Sequence, residues 1–171
     1  MGDDEETGNP DRTWLVLMAA GNSVPYFHFP GQLMRILAVD PGSRRIGLAI
    51  SDLTGSIANP LMVLNHVARL LDAAAVADLA KRNEAGLIVV GQSLDADGRP
   101  SFEGRRAGRF AEALKTQTDL KVVFWDESFT TQDARAARIS MGVSRKHRQG
   151  HLDSIAATLL LQSYLDANPQ K

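Results

Sequence analysis

Four carboxylates stand where apolar segments of the sequence end or begin. Asp40 follows four apolar residues, Asp126 and Glu127 follow the apolar segment Val122–Trp125, and Asp153 precedes the apolar face of the last predicted helix. A carboxylate at the edge of a core is costly unless it is paired or bound to a metal. Ligands of open α/β sheets collect beyond the carboxyl ends of the strands. We therefore predict that these acids converge on one site.

Carboxylates without histidine or cysteine at ligand spacing suit a hard cation, Mg²⁺ or Mn²⁺. Two such ions about 4 Å apart can activate a water and stabilise the leaving oxygen of a phosphodiester. Each acid also has a structural interpretation: Asp40 can start a turn, Asp126 and Glu127 can form an exposed strand end, and Asp153 can cap a helix. Their shared position at element ends favours a site for two metal ions over unrelated structural roles.

A set of basic residues, most of them arginines, is the second candidate constellation. Guanidinium groups suit bidentate contact with phosphate, and neutralising phosphates releases counterions, which gives sequence-independent affinity for nucleic acid. The alternative for any single residue is a solvated helix face. The candidate nucleic-acid-binding residues are Arg44, Arg45, Arg99, Arg105, Arg106, Arg109, Arg145, Lys146 and Arg148.

Aromatic and histidine residues add little to this constellation. We expect the nearby aromatic side chains to lie mostly in the core. Base stacking is therefore not predicted to be the main way in which the protein recognises nucleic acid. His151 could donate a proton to the site, although such a residue is more often an ordinary loop histidine. The sequence contains no GxGxxG or Walker A motif. The aromatic residues are Phe102, Phe110, Trp125 and Phe129.

The elements that must position these residues begin at Met34. Three successive strands, followed by strands that alternate with helices, predict an α/β fold: a mixed five-stranded sheet with helices on both faces. Pro60 favours an edge position for the third strand. The predicted strands are Arg35–Asp40, Ile46–Ser51, Ile57–Leu64, Leu87–Val90 and Val122–Trp125. The predicted helices are His66–Asn83, Glu103–Thr116, Thr131–Ser140 and Asp153–Ala167, with a polar basic loop at Met141–Gly150.

Helical spacing of apolar residues predicts which face of each helix is buried. For the first helix these residues are Val67, Leu70, Leu71, Ala74 and Ala75. For the second they are Ala107, Phe110, Ala111 and Leu114. For the last they are Ile155, Ala156, Leu159, Leu160 and either Tyr164 or Leu165.

Composition excludes several classes of protein. The chain has 171 residues, of which 44% are hydrophobic and 23% charged, as in a single globular domain. It contains no cysteine, which rules out disulfides, thiolate metal sites and a cysteine nucleophile. No apolar run reaches the roughly 18 residues that a membrane span needs.

The charge is unevenly distributed. The net charge of −1 conceals an acidic first segment, residues 1–33, with five acids and one base, and a remainder with 15 acids and 18 bases. We predict that residues 1–33 are a disordered extension and that residues 34–168 form the domain. Met34 is the expected effective start of the domain. The absence of a basic, export-type leader predicts a cytoplasmic protein.

Four stretches of the sequence resemble the YqgF/RuvX family of bacterial proteins. They are the segments 39–49 (VDPGSRRIGLA), 90–94 (VGQSL), 126–131 (DESFTT) and 153–157 (DSIAA). The resemblance implies a ribonuclease H-like fold and a metal-dependent nuclease, to which both pre-16S rRNA processing and Holliday junction resolution are ascribed. It also implies that Asp40, Glu127 and Asp153 are the catalytic, metal-binding carboxylates, with Asp126 as a less certain metal ligand.

The sequence departs from the family pattern in two motifs, and alternatives remain open. Gln92 and Ser93 replace the usual Leu-Pro, and Ser128 replaces an arginine that could have gripped phosphate or carboxylate. One alternative is a nucleic-acid or ribosome-assembly binding module with a degenerate site. An actin-like ATPase is disfavoured because a chain of this length has no room for a second lobe. RNA and branched DNA are both possible substrates, and the protein could be a monomer or a homodimer.

Overall fold

The computed structural model describes residues 34–126 and 148–169, with side chains in the second range from residue 154 onward. The strands are β1 (Arg35–Pro41), β2 (Arg45–Ser51), β3 (Ala58–Asn65), β4 (Ala85–Gln92) and β5 (Lys121–Asp126). The helices are α1 (Arg69–Arg82), α2 (Phe102–Lys115) and α3 (Arg148–Ala167). The predicted N-terminal extension, helix Thr131–Ser140 and most of the loop Met141–Gly150 lie outside the described residues.

The five strands form one mixed sheet in the order β3-β2-β1-β4-β5. β1, β2 and β3 pair as an antiparallel meander, whereas β4 and β5 run parallel to β1. This arrangement confirms the predicted mixed sheet. β3 is an edge strand, as Pro60 predicted, and the β2–β3 register shifts next to the position where Pro60 faces Ala49.

Both faces of the sheet are covered by helices. Residues Ile36–Val39 of β1 are at most 2% exposed, which explains their nearly continuous apolar sequence. Leu37 and Val39 belong to the core shared with α1 and α2, whereas Ile36 and Ala38 belong to the core shared with α3. Successive side chains of the central strand therefore point alternately to the two helical layers. The same alternation fixes the face on which each later side chain of β1 lies.

The predicted buried face of α1 is wrong. Val67, Leu70 and Leu71 are 72%, 61% and 63% exposed. The helix begins at Arg69, three residues later than predicted, and its buried residues are Asp72, Ala73, Val76, Ala77 and Ala80. An alanine-rich surface lets the helix approach the sheet and α2 closely, and the leucines at its start are left outside this contact.

The predicted face of α2 is confirmed, because Ala107, Phe110, Ala111 and Leu114 are all buried. Ser101 caps this helix by accepting a hydrogen bond from the Gly104 N–H at 3.1 Å. Gly104 is obligatory at this site, since a Cβ there would lie 2.1 Å from the Ser93 carbonyl oxygen. The cap and the glycine together fix the start of α2 against the segment that leaves β4.

Helix α3 is longer than predicted, because it begins at Arg148 rather than Asp153. The end of the predicted loop Met141–Gly150 is therefore helical. Leu160 and the pair Tyr164 and Leu165 are buried as predicted, but Ile155, Ala156 and Leu159 are only partly buried. Ala157 and Leu161 are fully buried instead. No helix within the described residues is long and apolar enough to cross a membrane.

Candidate functional site

Asp40 lies near the carboxyl end of β1 and is half-buried. It continues the alternation of Ile36 and Ala38, which places it on the α3 face of the sheet. The chain then turns sharply, and the Gly42 N–H donates to the Asp40 carbonyl at 3.1 Å. A Cβ on Gly42 would lie 2.4 Å from the Arg45 carbonyl oxygen, so this turn requires glycine.

Asp126 is the last residue of β5, and it lies on the opposite face of the sheet from Asp40. Trp125 faces α3, because its indole Nε1 donates to Ser163 at 3.1 Å and its ring meets Tyr164 edge-on at 5.3 Å. Asp126 pairs in register with Gln92, whose side-chain amide donates to the Gly104 carbonyl of α2 at 3.3 Å. Alternation thus places Asp126 on the α2 face, opposite to the Asp40 face. Glu127 lies outside the described residues.

Asp153 lies within α3, five residues after the first residue of the helix. The interpretation of Asp153 as a helix cap is therefore wrong, since a cap stands at the helix start. α3 packs against β1, β2 and β3, so its backbone crosses the sheet face on which Asp40 lies. The described residues contain no group of three potential metal ligands. The predicted metal ligands also include Glu127 and the side chain of Asp153, which lie outside the part of the chain that the structure describes.

Six of the predicted basic residues gather at the carboxyl edge of the sheet, which we define as the edge where β1, β4 and β5 end. Arg106 is tied to this edge, since its Nε and Nη2 donate to the Pro41 carbonyl at 3.3 and 3.2 Å. Arg105 donates to the Pro100 carbonyl at 3.0 Å and lies 5.9 Å over the Phe102 ring. The six residues are Arg44, Arg45, Arg99, Arg105, Arg106 and Arg109. Arg145, Lys146 and the side chains of Arg148 and His151 lie outside the described residues.

Phe102 is an exception among the nearby aromatic residues, which we expected to lie mostly in the core, because it is 66% exposed. Phe110 is buried and Trp125 is partly buried, as expected. Phe102 is exposed because it is the first residue of α2, where the helix has not yet met the sheet. Phe129 lies outside the described residues.

His66 and Asp72 form a polar pair that the sequence analysis did not single out. The His66 Nδ1 lies 2.5 Å from one Asp72 carboxylate oxygen, and the Val67 N–H donates to the other at 3.1 Å. The Asp72 side chain is only 5% exposed, whereas that of His66 is 43% exposed. One signal was available in the sequence: an acid stands among apolar residues in the first turn of a helix, six residues after a histidine.

A different carboxylate dominates the opposite, amino edge of the sheet, where β1 begins. Asp52 follows β2 and accepts hydrogen bonds from the Thr54 hydroxyl and from the Ile57 and Ser56 N–H groups. These bonds, the Thr54 hydroxyl first, lower the pKa of Asp52 from 3.8 to about 2. They hold the β2–β3 turn together and lie away from the basic edge.

The sheet order and the helices on both faces define the ribonuclease H-like class of α/β folds. A solved structure with this fold is RuvC of T. thermophilus in complex with a Holliday junction substrate. It matches with a TM-score of 0.52 and 18% sequence identity, over 81% of this chain and 98% of the RuvC chain. At this identity the match shows the fold alone.

The family model described as "RuvX: Holliday junction resolvase" matches residues 34–167, and the chain belongs to this family. A relative from Thermoanaerobacter pseudethanolicus, named "Putative pre-16S rRNA nuclease", is 35% identical over 139 residues, covering 81% of this chain and all of the relative. A relative of the same name from Brucella canis is 38% identical over 145 residues, covering 84% and 87%. The names given to these relatives and to the family denote hydrolases of phosphodiesters.

Proposed function

We propose that this protein is a metal-dependent endonuclease that hydrolyses nucleic-acid phosphodiesters and processes the 5′ end of pre-16S rRNA. The observation that carries the proposal is the position of Asp40, a half-buried carboxylate at the end of the central strand, beside a basic edge. Membership of the RuvX family and the names of its relatives support the choice of reaction and substrate. An rRNA precursor is a cytoplasmic molecule, so the proposal includes a cytoplasmic location.

We propose Asp40, Glu127 and Asp153 as the catalytic carboxylates that would hold Mg²⁺ or Mn²⁺, with two ions per site. Carboxylate oxygens are the ligands these cations prefer, and a half-buried Asp40 on the α3 face fits such a cation. When bound, the metal supplies a Lewis acid that neutralises developing charge on the phosphate. The opposite face assigned to Asp126 favours the other three acids as the metal set.

The arginines of the carboxyl edge hold the substrate in this proposal. Arg44 lies in the turn between β1 and β2, and Arg45 is the first residue of β2. Arg106 of α2 donates to the carbonyl of Pro41, the last residue of β1. A strand crossing the edge would meet several guanidinium groups next to the acid. Arg145, Lys146 and Arg148 are proposed to extend this grip, since the sequence between residues 134 and 152 contains bases but no acid. Phosphate contacts of this kind position a strand without reading its sequence.

The first test is cleavage by the Asp40→Asn variant. We expect cleavage to fall at least about a thousand-fold, which corresponds to a loss of about 4 kcal/mol of transition-state stabilisation. Binding should stay equal or become tighter, because the basic edge is unchanged. The control is Asp119→Asn, which removes an acid just before β5 at the opposite edge and should cleave like the wild type. If Asp40→Asn cuts RNA and branched DNA as fast as the wild type, the mechanism is wrong.

The second test is metal binding without substrate. Clustered carboxylates repel one another, so Mn²⁺ at a hundred times its Kd should stabilise the folded wild type by up to about 2.7 kcal/mol. Its melting temperature should rise accordingly. The double variant Asp40→Asn with Asp153→Asn should lose this gain. An equal gain in both proteins would remove the metal site and favour a non-catalytic nucleic-acid or ribosome-assembly binding module.

A second candidate function is Holliday junction resolution, favoured by the description of the family model. A four-way junction has two equivalent cleavage sites, so this function favours a homodimer, whereas a single rRNA cut suits a monomer. Cleavage of a precursor rRNA leader and a synthetic four-way junction, side by side with Mg²⁺, distinguishes the two. The preferred proposal expects faster cleavage of the leader.

A further inference from the structure

A small cavity of about 220 Å³ opens beside the turn that follows Asp40. Pro41, Gly42 and Ser43 of that turn form one wall. Ile46 and Phe110, from the core shared with α1 and α2, also line it. The remaining described lining residues are polar: His66, Arg69, Asp72, Arg106 and Arg109. Pockets for whole drug-sized ligands usually measure about 300–1,000 Å³. The cavity is therefore suited to a single compact group rather than to a complete nucleotide.

The charge of the cavity selects an anion. Among the described residues that line it, three are arginines and one, Asp72, is an acid. Both oxygens of Asp72 already accept hydrogen bonds, from His66 and from the Val67 N–H. Arg69 and Arg109 form no salt bridge with another described residue. The lining formed by the described residues therefore carries two surplus positive charges even with His66 neutral, and two guanidinium groups stay available to a ligand.

Asp72 fixes the orientation of His66. A carboxylate can only accept from the imidazole, so Nδ1 carries a proton and Nε2 is the ring nitrogen not held by Asp72. The His66 main chain is fixed as well, because its N–H donates to the Arg44 carbonyl at 2.9 Å. The imidazole is thus a rigid part of the cavity wall, joined to the same turn that follows Asp40.

The start of α1 adds a further attraction for an anion. Ala68 precedes the helix and offers no side-chain cap to its first N–H groups. Uncapped N–H groups and the helix dipole favour a negative group at this end. Arg69, the first residue of α1, lines the same cavity.

We propose that this cavity binds a backbone phosphate of the nucleic-acid strand where the strand passes the turn after Asp40, on the α1 and α2 side of the sheet. Arg69 and Arg109 contact the phosphate oxygens, Arg106 holds the wall in place, and Asp72 acts as a positioning residue for His66. The proposal rests on the proposed function, since it places the cavity along the path of the substrate. It adds His66, Arg69 and Asp72 to the residues that govern substrate binding.

Arg69→Ala tests the proposal, with Lys81→Ala as its matched control near the other end of the same helix. The probe is a labelled single-stranded RNA carrying the 16S leader junction, and the Kd is measured across a series of salt concentrations. We expect Arg69→Ala to raise the Kd about five- to tenfold and to reduce the slope of log K against log salt by about 0.7, the value for one lost phosphate contact. At saturating RNA, kcat should change less than twofold. Lys81→Ala should match the wild type, and an unchanged slope in Arg69→Ala overturns the proposal.

A double-variant comparison tests the positioning role of Asp72. His66→Gln and Asp72→Asn should each raise the Kd about two- to fivefold, with little change in kcat. The double variant should bind RNA with a Kd no higher than that of the weaker-binding single variant, because the two residues act as one unit. Additive effects would show that Asp72 does not act through His66 and would overturn that part of the proposal.

The outcomes separate this proposal from the nuclease proposal. If the salt slope of RNA binding is smaller in Arg69→Ala than in the wild type, but the wild type does not cut RNA, the phosphate-binding proposal is supported and the nuclease proposal is wrong. If the wild type cuts and the slope does not depend on Arg69, the reverse holds. A third outcome is that inorganic phosphate raises the melting temperature of the wild type but not of Arg69→Ala, while the salt slope of RNA binding is the same in both proteins. The cavity would then bind free anions, and its proposed role in binding the nucleic-acid strand would be overturned.

Discussion

Two cavities lie at opposite edges of the same sheet and differ in charge and size. The cavity at the carboxyl edge, beside the turn that follows Asp40, measures about 220 Å³. Its described lining includes three arginines and one fully bonded acid. The cavity at the amino edge measures about 630 Å³ and lies between the ends of α1 and α2. The charged residues in the described part of its lining are Asp78, Asp119 and Lys81. The larger cavity is the one whose lining favours no phosphate.

The difference in charge follows strand direction, which brings the candidate chemistry to the carboxyl edge. β1, β4 and β5 all end at the carboxyl edge, so the turn after Asp40 and the connections after β4 and β5 emerge together there. The amino edge carries strand starts and the β2–β3 turn, where polar groups bond within the turn. We therefore expect changes at the carboxyl edge to affect function and changes at the amino edge to affect stability alone.

The largest expected contrast is between two glycines. In Gly42→Ala the new Cβ meets the Arg45 carbonyl at 2.4 Å, so the turn after Asp40 must move. We expect a cost of about 3 kcal/mol in stability and at least a tenfold loss of cleavage. In Gly86→Ala, at the amino edge, the Cβ meets the flexible Met34 side chain, which can shift, so the cost should stay below about 1 kcal/mol.

Chemical denaturation and cleavage at one temperature check this pair. Equal losses of cleavage in Gly42→Ala and Gly86→Ala would contradict the division between the edges. A Gly42→Ala protein that is destabilised but cleaves normally per folded molecule would show that the turn after Asp40 does not position the site.

A smaller contrast is expected between two serines. Ser51 is fully buried at the amino edge, and its hydroxyl accepts the Ile36 N–H at 2.9 Å. Ser51→Ala leaves that N–H without this partner, and we expect a loss of about 2 kcal/mol in the free energy of unfolding. Urea denaturation should detect the loss, while cleavage by the folded fraction should be unchanged.

Ser101→Ala is the matched variant at the carboxyl edge. It removes the cap of α2 and should cost about 1 kcal/mol. Because the first turns of α2 carry Arg105 and Arg106, the RNA Kd should also rise, by about two- to threefold. Ser101→Ala would then lose less stability than Ser51→Ala but more affinity for RNA. Normal RNA binding by Ser101→Ala would argue against a role for these turns.

The sheet was predictable because buried strands leave a strong local pattern. Residues 36–39 are apolar without interruption, and the structure buries them on both faces. The face of α1 was not predictable in this way. Val67, Leu70 and Leu71 suggested a buried stripe, but burial of α1 is decided by how closely its alanines approach the sheet and α2. That approach is a property of the packed layers and not of the helix sequence alone.

The candidate site shows the same limit. The positions of Asp40 and the arginines follow from where strands end, which the sequence reveals. The opposite faces of Asp40 and Asp126 depend on the register between β1, β4 and β5, which forms only when the strands pair. The pair His66 and Asp72 depends on the late start of α1, which brings residues six positions apart into contact. These relations are tertiary, so composition and spacing do not contain them.

The smallest expected effect concerns Asp52 at the amino edge. Its folded-state pKa is lowered to about 2 from 3.8, first by the Thr54 hydroxyl. A lowered folded-state pKa gives stability that is fully present above the unfolded pKa and is lost as the pH falls through the folded pKa. Wild type should therefore exceed Asp52→Asn in urea midpoint near pH 5, and the difference should vanish near about pH 2. Because Asp52 is only partly buried, the difference should be small. A difference that stays constant over this range would mean that the turn does not favour the ionised carboxylate, and a loss of cleavage at neutral pH would mean that the amino edge is not merely structural.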